Sequence, residues 1–248
     1  MPETANTYFR TAIDTLQQLM ATEREALDQA AQWIADSVKE DGVLHIFGAG
    51  HSMLMGQELM FRAGGLAPVN AILDVNFSLM GPPPSAGTAL ERMEGYAKLI
   101  LDRYEFRPGE VLVVVSQSGR NPVPIEAAME GKKRGLKVIA LTSLQQSSQA
   151  TSRHSSGKRL FEVVDLVLDT HVIPGDACVE IAPGLPRTSP LSTVVGAAIM
   201  QALVAEVAKR LYDAGVQPPI WVSANVPGGG ERNVDLISRY GGRRLKAF

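Results

Sequence analysis

The chain has 248 residues, of which 45% are hydrophobic and 20% are charged, so it can bury a large core as one α/β domain or two small ones. This composition excludes disordered and collagen-like proteins. The 24 basic and 26 acidic residues leave a formal charge of −2, which gives no strong field for attracting nucleic acid or an acidic membrane surface. An anionic ligand must therefore be held by local groups.

The cysteine content and the hydropathy pattern indicate a cytoplasmic protein. The single cysteine, Cys178, has no partner for an internal disulfide, and the first residues lack the basic and then apolar pattern of a signal peptide. The longest apolar run, 194–207, is interrupted by Gln201 and Glu206 and is too short to cross a bilayer. We therefore expect no membrane partner and a buried helix at this run.

Residues 1–41 are predicted to form one long amphipathic helix, because apolar residues recur three or four positions apart from about residue 6 to residue 38. A helix of this length has more apolar surface than a small domain covers, so we expect part of it to form a dimer interface. Short apolar runs of strand length follow at 43–47, 111–115, 137–141 and 166–168. Such runs, separated by helical patterns, predict a parallel sheet whose ligands bind beyond the carboxyl ends of the strands.

Two stretches do not fit this alternation of strands and helices. The segment 145–159 is basic and rich in Ser and Gln, and it is predicted to be a functional or mobile loop. The tail 217–248 contains Pro218-Pro219 and three glycines at 228–230, and it is expected to lie across the surface or to reach a neighbouring subunit. Residues 43–212 are then the core of a single domain.

Two strand-to-helix turns carry the groups expected to hold an anion. The first contains Gly48, Gly50 and Ser52, which let the backbone approach an anion and add one hydroxyl donor. The second is Ser116-Gln117-Ser118-Gly119, with Asn121 near the start of the next helix. Each hydrogen bond to a charged group contributes on the order of 1.5–3 kcal/mol, so several such donors hold a phosphate without a metal or a Walker lysine.

The order of these motifs, followed by Thr142-Ser143 after the next strand, resembles that of the sugar isomerase (SIS) domain. The stretches 61–66, 90–96 and 152–159 resemble a bacterial single-domain subfamily of phosphosugar isomerase-like SIS proteins. The resemblance implies a three-layer flavodoxin-like α/β fold with a mainly parallel five-stranded sheet and a long N-terminal helix. It also implies a phosphosugar ligand and a homodimer or homotetramer with sites near the subunit interface, but it supplies no substrate.

The resemblance also assigns ligand-binding residues. Ser116, Ser118 and Asn121 fall where the isomerase domain of glucosamine-6-phosphate synthase uses Ser, Ser and Thr on the phosphate, so Asn121 leaves open whether the anion is a phosphate or a sulfonate. The segment Asp176-Ala177-Cys178 and the Ser/Thr-rich helix start after it are similar to the arabinose-5-phosphate isomerase pattern. The implied ligand-binding set is Gly50, Ser52, Ser116, Gln117, Ser118, Gly119, Asn121, Ser143, Ser192 and Thr193.

Aldose–ketose isomerisation through a cis-enediol needs a base that moves a proton between neighbouring carbons and an acid/base for the oxygens. Glu180 and Asp176 rank first because related isomerases place a carboxylate after the last core strand. Glu91 or Glu94 comes next, since Glu94-Gly95-Tyr96 resembles a segment near the active site of N-acetylmuramic acid phosphate etherases. A solvated position on the surface remains the alternative for these acids.

His51, beside Ser52 in the first turn, is predicted to be a ring-opening or oxygen-directed acid/base. His154, in the basic loop, either enters a pocket or is solvated. The histidines show no metal-ligand spacing, and Cys178 has no partner for a zinc site, so we predict no metal and no cofactor.

The preferred hypothesis is an aldose–ketose isomerase of a phosphorylated or otherwise anionic sugar. A Rossmann dehydrogenase is disfavoured, because Met53 stands at the third glycine position and that hypothesis does not explain the second turn. Two alternatives stay open: a regulator that binds a sugar phosphate without turning it over, and an etherase that removes lactate from a muramic acid phosphate. The length and stereochemistry of the sugar stay open as well.

Overall fold

The computed structural model describes residues 1–78, 81, 83–241 and 245. The predicted tail therefore falls within the described residues except at 242–244 and 246–248. Within this described part of the chain, no helix combines the length and the apolarity needed to span a bilayer.

A five-stranded parallel sheet lies at the centre of the fold. Its strands are β1 (Leu44–Gly48), β2 (Val69–Ile72), β3 (Val111–Val115), β4 (Lys137–Thr142) and β5 (Leu166–Asp169). They are arranged in the order β2-β1-β3-β4-β5, with every neighbouring pair parallel. The predicted flavodoxin-like sheet is confirmed, and its strand order reverses between β1 and β3, where open α/β sheets bind their ligands.

Helices cover both faces of this sheet. They are α1 (Glu3–Thr22), α2 (Arg24–Lys39), α3 (Leu54–Leu59), α4 (Pro84–Glu91), α5 (Tyr96–Leu101), α6 (Pro122–Lys133), α7 (Leu144–Gln149), α8 (Ser192–Asp213) and α9 (Gly229–Tyr240). An antiparallel ribbon of β6 (Ala177–Val179) and β7 (Thr188–Pro190) precedes α8.

Alternate side chains of β3 enter two separate hydrophobic clusters, which gives the fold its three layers. Val113 packs with residues of α2 and α8, such as Ile34 and Leu203. Leu112 packs on the opposite face with Ile125 of α6 and Ile100 of α5. A strand that is buried on both faces has a continuous run of apolar residues in its sequence. The residues of β3 could therefore be predicted individually.

The predicted long N-terminal helix is divided into α1 and α2 at Glu23, where φ is −96° and ψ is 10°. The carboxylate of Glu23 accepts a hydrogen bond from the Asp169 backbone N–H (3.1 Å) and lies 3.0 Å from His171 Nε2. The kink therefore occurs where the helix is joined to the end of β5. The spacing of apolar residues in the sequence gives no information about such a tertiary contact.

Two predicted loops contain helices. The segment 145–159 includes most of α7, and the tail includes α9. Trp221 in the tail is 3% exposed, and its ring packs on that of Phe61 with centroids 4.8 Å apart. Part of the tail is thus packed into a small hydrophobic cluster, which its turn-rich composition did not indicate.

Candidate functional site

The carboxyl ends of the strands open into a cavity of about 150 Å³ next to the switch between β1 and β3. Met55, Val115 and Leu141 give it an apolar floor, and polar groups surround that floor. Six of the predicted site residues line the cavity together: His51, Ser52, Gln117, Asp176, Ser192 and Thr193. These residues come from four separate parts of the sequence, which the fold brings to one edge of the sheet.

The first turn needs glycine at position 48 for steric reasons. A Cβ added there would lie 2.5 Å from the backbone oxygen of Ser52. Gly50 follows with φ of 56°, a left-handed conformation that favours glycine. A short 3-10 helix from Gly50 to Met53 then leads into α3 and presents His51 and Ser52 to the cavity.

The second turn is braced by residues that the sequence did not single out. Gly119 has φ of 55°, and a Cβ there would lie 2.5 Å from Ser147 Oγ. The Ser147 hydroxyl donates to the Ser118 carbonyl (3.0 Å), and the Gly119 N–H donates to Ser116 Oγ (3.3 Å). Ser116, Ser118 and Gly119 thus shape the turn but do not line the cavity.

Gln117 is the member of this turn that reaches the cavity. Its Oε1 accepts a hydrogen bond from Thr170 Oγ1 (2.8 Å), so the amide nitrogen is left to donate. Thr170 directly follows β5, and the reasoning that singled out polar residues at the other strand ends would have found it.

Asp176 caps the helix that forms one wall of the cavity. One carboxylate oxygen accepts from the backbone N–H groups of Leu191 (2.9 Å) and Ser192 (2.7 Å), and the other accepts from Ser192 Oγ (2.6 Å). A carboxylate at the start of a helix is stabilised by the N–H groups that have no partner within the helix. Both oxygens of this candidate base are therefore engaged in fixing the start of α8.

A second cavity, of about 190 Å³, adjoins the first, since both are lined by Ala49 and His51. Glu91, the last residue of α4, lines it together with Gly50, Asn76 and Thr88. Asn76 Nδ2 donates to the hydroxyl of Tyr96 (2.8 Å), whose pKa is raised chiefly by burial. Asn76 was missed because the short strand before it was not predicted individually, and Thr88 because the helix that carries it was not predicted.

Three other candidates lie outside both cavities. Glu180 has a side chain that is 55% exposed, 4.0 Å from Arg187. Asn121 precedes α6, and its Oδ1 accepts from Arg153 Nη1 (2.8 Å). The hydroxyl of Ser143 donates to the Val172 carbonyl (2.6 Å) and caps α7.

His154 lies beside two carboxylates. Its Nδ1 is 2.7 Å from Ser156 Oγ, and its Nε2 is 3.7 Å from Glu126 Oε1. Glu94 accepts hydrogen bonds from the side chain and the backbone of Ser155, which lower the pKa of Glu94. His154, Glu94 and Glu126 each offer one potential metal ligand within 4.8 Å of the others, a grouping that the sequence spacing did not indicate.

Residues 7–143 match the family model described as the SIS domain. A UPF0309 protein of Halalkalibacterium halodurans is 41% identical over 233 residues, covering 94% of this chain and 93% of the relative. A UPF0309 protein of Streptomyces coelicolor is 42% identical over 242 residues, covering 96% of each chain. The chain belongs to the SIS domain family and to the UPF0309 family.

Solved structures share the fold of this SIS domain. A phosphoheptose isomerase from Francisella tularensis superposes with a TM-score of 0.56 at 19% identity, over 83% of this chain and 96% of that one. Phosphoheptose isomerase GmhA from Neisseria gonorrhoeae superposes with a TM-score of 0.56 at 22% identity, over 84% and 98%. The resemblance that the motifs indicated is confirmed at the level of family and fold.

Proposed function

We propose that this SIS domain binds an anionic sugar, typically a phosphosugar, at the carboxyl edge of its sheet and interconverts its aldose and ketose forms. The observation that carries the proposal is the pair of adjoining cavities that share His51. One cavity offers hydrogen-bond donors for an anion. The other offers a carboxylate that can take a proton from a carbon atom of the sugar.

The anion binds in the first cavity. The Gln117 amide, held by Thr170, and the hydroxyls of Ser52 and Thr193 supply neutral donors around an apolar floor. Hydrogen bonds from neutral donors to an ionised group are stronger than those between neutral groups, and a low local dielectric strengthens them further. This arrangement fits the formal charge of −2, because it needs no large positive field.

Glu91 is the proposed base and His51 the proposed acid/base on oxygen. Glu91 shares the second cavity with His51, whereas Asp176 uses both carboxylate oxygens to cap α8 and Glu180 is exposed to solvent. A base must lie within hydrogen-bonding reach of the proton that it abstracts, so the shared cavity supports Glu91 over the two acids that the sequence ranked first.

Self-association belongs to the same proposal. Helix α1 buries Ala12 and Leu19 against the domain but leaves another apolar stripe in solvent, with Phe9 51%, Ile13 53% and Met20 80% exposed. We infer that a second copy of the chain covers this stripe, because a large exposed apolar patch marks an interaction surface.

A binding experiment tests the anion site. Titration of wild-type protein with a panel of sugar monophosphates should identify ligands, and Ser52→Ala should weaken them about tenfold, the loss expected for one charge-assisted hydrogen bond. Ser238→Ala, which changes an exposed serine on α9, is the control. If Ser52→Ala and Ser238→Ala bind every ligand equally well, the anion does not lie in this cavity.

Turnover separates the isomerase from its two alternatives. Proton NMR in deuterated water should show solvent deuterium at C1 or C2 of a bound sugar phosphate. Release of lactate from a muramic acid phosphate would instead identify an etherase. Binding without exchange or release across the panel would identify a regulator.

A further inference from the structure

Arg120 lies just before the start of α6 and is bonded to Arg153, while Arg92 directly follows α4, which packs against α6. The Arg153 backbone N–H donates to the Arg120 carbonyl (2.8 Å), and Arg120 Nε donates to the Thr151 carbonyl (3.0 Å). These bonds join the basic segment 151–153 to the end of the second turn. The charge of Arg92 acts on Arg153 across this junction.

Within the described part of the chain, no carboxylate forms an ion pair with this cluster of three arginines. Among the residues that the structure describes, no carboxylate oxygen lies within 4.0 Å of a nitrogen of these three side chains. Other arginines of the protein do have such partners, with Arg134 2.6 Å from Asp102 and Arg159 2.8 Å from Glu162.

The neighbouring acids are largely engaged elsewhere. Glu126 accepts from the Gly95 N–H (2.7 Å), and Glu94 accepts from the Ser155 N–H (2.6 Å). Burial and then the charges of Arg120 and Arg92 lower the pKa of Arg153, and Glu91 partly opposes them. The positive charges of Arg92 and Arg120 act unfavourably on that of Arg153, and an anion bound among them relieves this repulsion.

The cluster lies next to the proposed substrate site. Arg153 Nη1 holds Asn121 Oδ1 at the second turn, and Glu91, whose charge reaches Arg153, lines the second cavity with His51. A sugar anchored by one anion in the first cavity and passing His51 and Glu91 would therefore present its far end to the arginines.

We propose that the arginine cluster binds a second anionic group, so that the substrate is a sugar carrying two anions, such as a bisphosphate or a phosphorylated sugar acid. This inference rests on the proposed function and narrows its substrate class. The first cavity supplies neutral hydrogen-bond donors to one anion, whereas the positively charged arginines would bind the second. Arginine suits this role, because its planar donors bind phosphate and carboxylate groups in pairs.

Calorimetric titration with matched ligands tests the proposal. Glucose 6-phosphate is compared with glucose 1,6-bisphosphate, and fructose 6-phosphate with fructose 1,6-bisphosphate, at one low ionic strength, because salt screens exposed charges. Wild-type protein should bind the bisphosphate of at least one pair about tenfold more tightly, which corresponds to one charge-assisted hydrogen bond.

The variant Arg92→Gln/Arg120→Gln should abolish this preference and leave affinity for the monophosphate within about twofold, a change well below that of one hydrogen bond. Arg153 is left intact because it also positions Asn121. The matched control is Arg10→Gln, since Arg10 is an exposed arginine on α1 without an ion pair among the described residues.

The outcomes separate this inference from the proposed function. Monophosphate binding without any preference for a bisphosphate would overturn the second-anion site alone. An equal loss of monophosphate and bisphosphate affinity in the double variant would also overturn it, because the arginines would then serve the first anion. If neither member of any pair binds to wild-type protein, the inference fails together with the proposed function.

Discussion

Gly119 shows how single residues shape the candidate site. Its left-handed backbone turns the chain after Gln117, and Ser147 occupies the space that a side chain would need. The hydroxyl of Ser116 and the backbone carbonyl of Ser118 accept hydrogen bonds that hold this geometry. The sequence indicated the turn, but Ser147 could not be assigned to it, because its part in the turn depends on how α7 packs.

Gly119→Ala should destabilise the protein for two reasons. The left-handed conformation costs an alanine roughly 1–2 kcal/mol, and the overlap with Ser147 Oγ adds roughly 1–3 kcal/mol. Gly157→Ala is the matched control, since Gly157 has φ of 71° but nothing within 4 Å of an added Cβ. Urea unfolding measures both variants, and equal losses of stability would show that the contact with Ser147 is unimportant.

At the scale of elements, helix α8 begins against the carboxylate of Asp176. The sequence placed an acid and a Ser/Thr-rich helix start here, and both are present in the structure. The residue spacing did not indicate the orientation of the Asp176 carboxylate, which is bonded to the start of the helix. The neighbouring Glu180 shares the same ribbon but remains exposed.

Asp176→Ala should lower the free energy of unfolding by about 1–2 kcal/mol, the usual effect of losing a helix cap. Glu180→Ala should change it by less than about 0.5 kcal/mol, as expected for an exposed surface residue. Thermal or urea unfolding of the two variants provides the comparison. A larger loss for Glu180→Ala than for Asp176→Ala would contradict the assigned cap.

The segment after α7 is held by Arg159, which donates to the Ser148 carbonyl (2.6 Å) and to Glu162 (2.8 Å). Hydrogen bonds from Arg159 lower the pKa of Glu162 from 4.5 to about 2. A depressed carboxyl pKa stabilises the folded state above the unfolded pKa, and this stabilisation is lost as the pH falls through the folded pKa.

Glu162→Gln should therefore reduce stability relative to wild type above about pH 4.5, and the difference should shrink as the pH falls towards 2. The effect is small, because the pair is partly exposed and solvent screens it. Unfolding curves recorded at several pH values measure the difference. A difference that stays constant with pH would contradict the ion pair.

The strands and helices were predictable to different degrees. Val111–Val115 is an unbroken β-branched and apolar run, and it forms β3 without change. In β2 the run is interrupted by Asn70, a buried residue whose amide lies 3.2 Å from His45 Nδ1. The division of the N-terminal helix at Glu23 likewise depends on contacts with β5, 146 residues away. Local patterns predict local structure but not these tertiary partners.

At the scale of the whole molecule, the site combines residues that lie far apart in the sequence. The strand-end rule predicted that His51 and Gln117 would meet, since parallel strands end at one edge, and the family resemblance added Ser192. It did not distinguish among the acids, because their distance from His51 depends on α4 and on the ribbon before α8. Glu91 therefore became the preferred base only from the geometry of the second cavity.

The exposed stripe on α1 predicts self-association of the whole molecule. Ile13→Glu should shift the protein towards a monomer, because burying an unpaired charge at an apolar interface is costly. Thr7→Glu adds the same charge at another exposed position of α1 and should leave the assembly unchanged. Sedimentation over a range of concentrations gives the masses. A monomeric wild-type protein would contradict the proposed interface.

In the proposed reaction, a sugar held at the sheet edge loses and regains a carbon-bound proton through Glu91. The most direct measurement is the rate at which solvent deuterium enters C1 or C2 of a bound sugar phosphate, compared between wild type, Glu91→Gln and Glu180→Gln. We expect exchange in wild type and Glu180→Gln, and a loss of about 10² to 10⁴-fold in Glu91→Gln, the usual contribution of a general base. Exchange at the wild-type rate in Glu91→Gln, or its loss in Glu180→Gln alone, would contradict this role of Glu91.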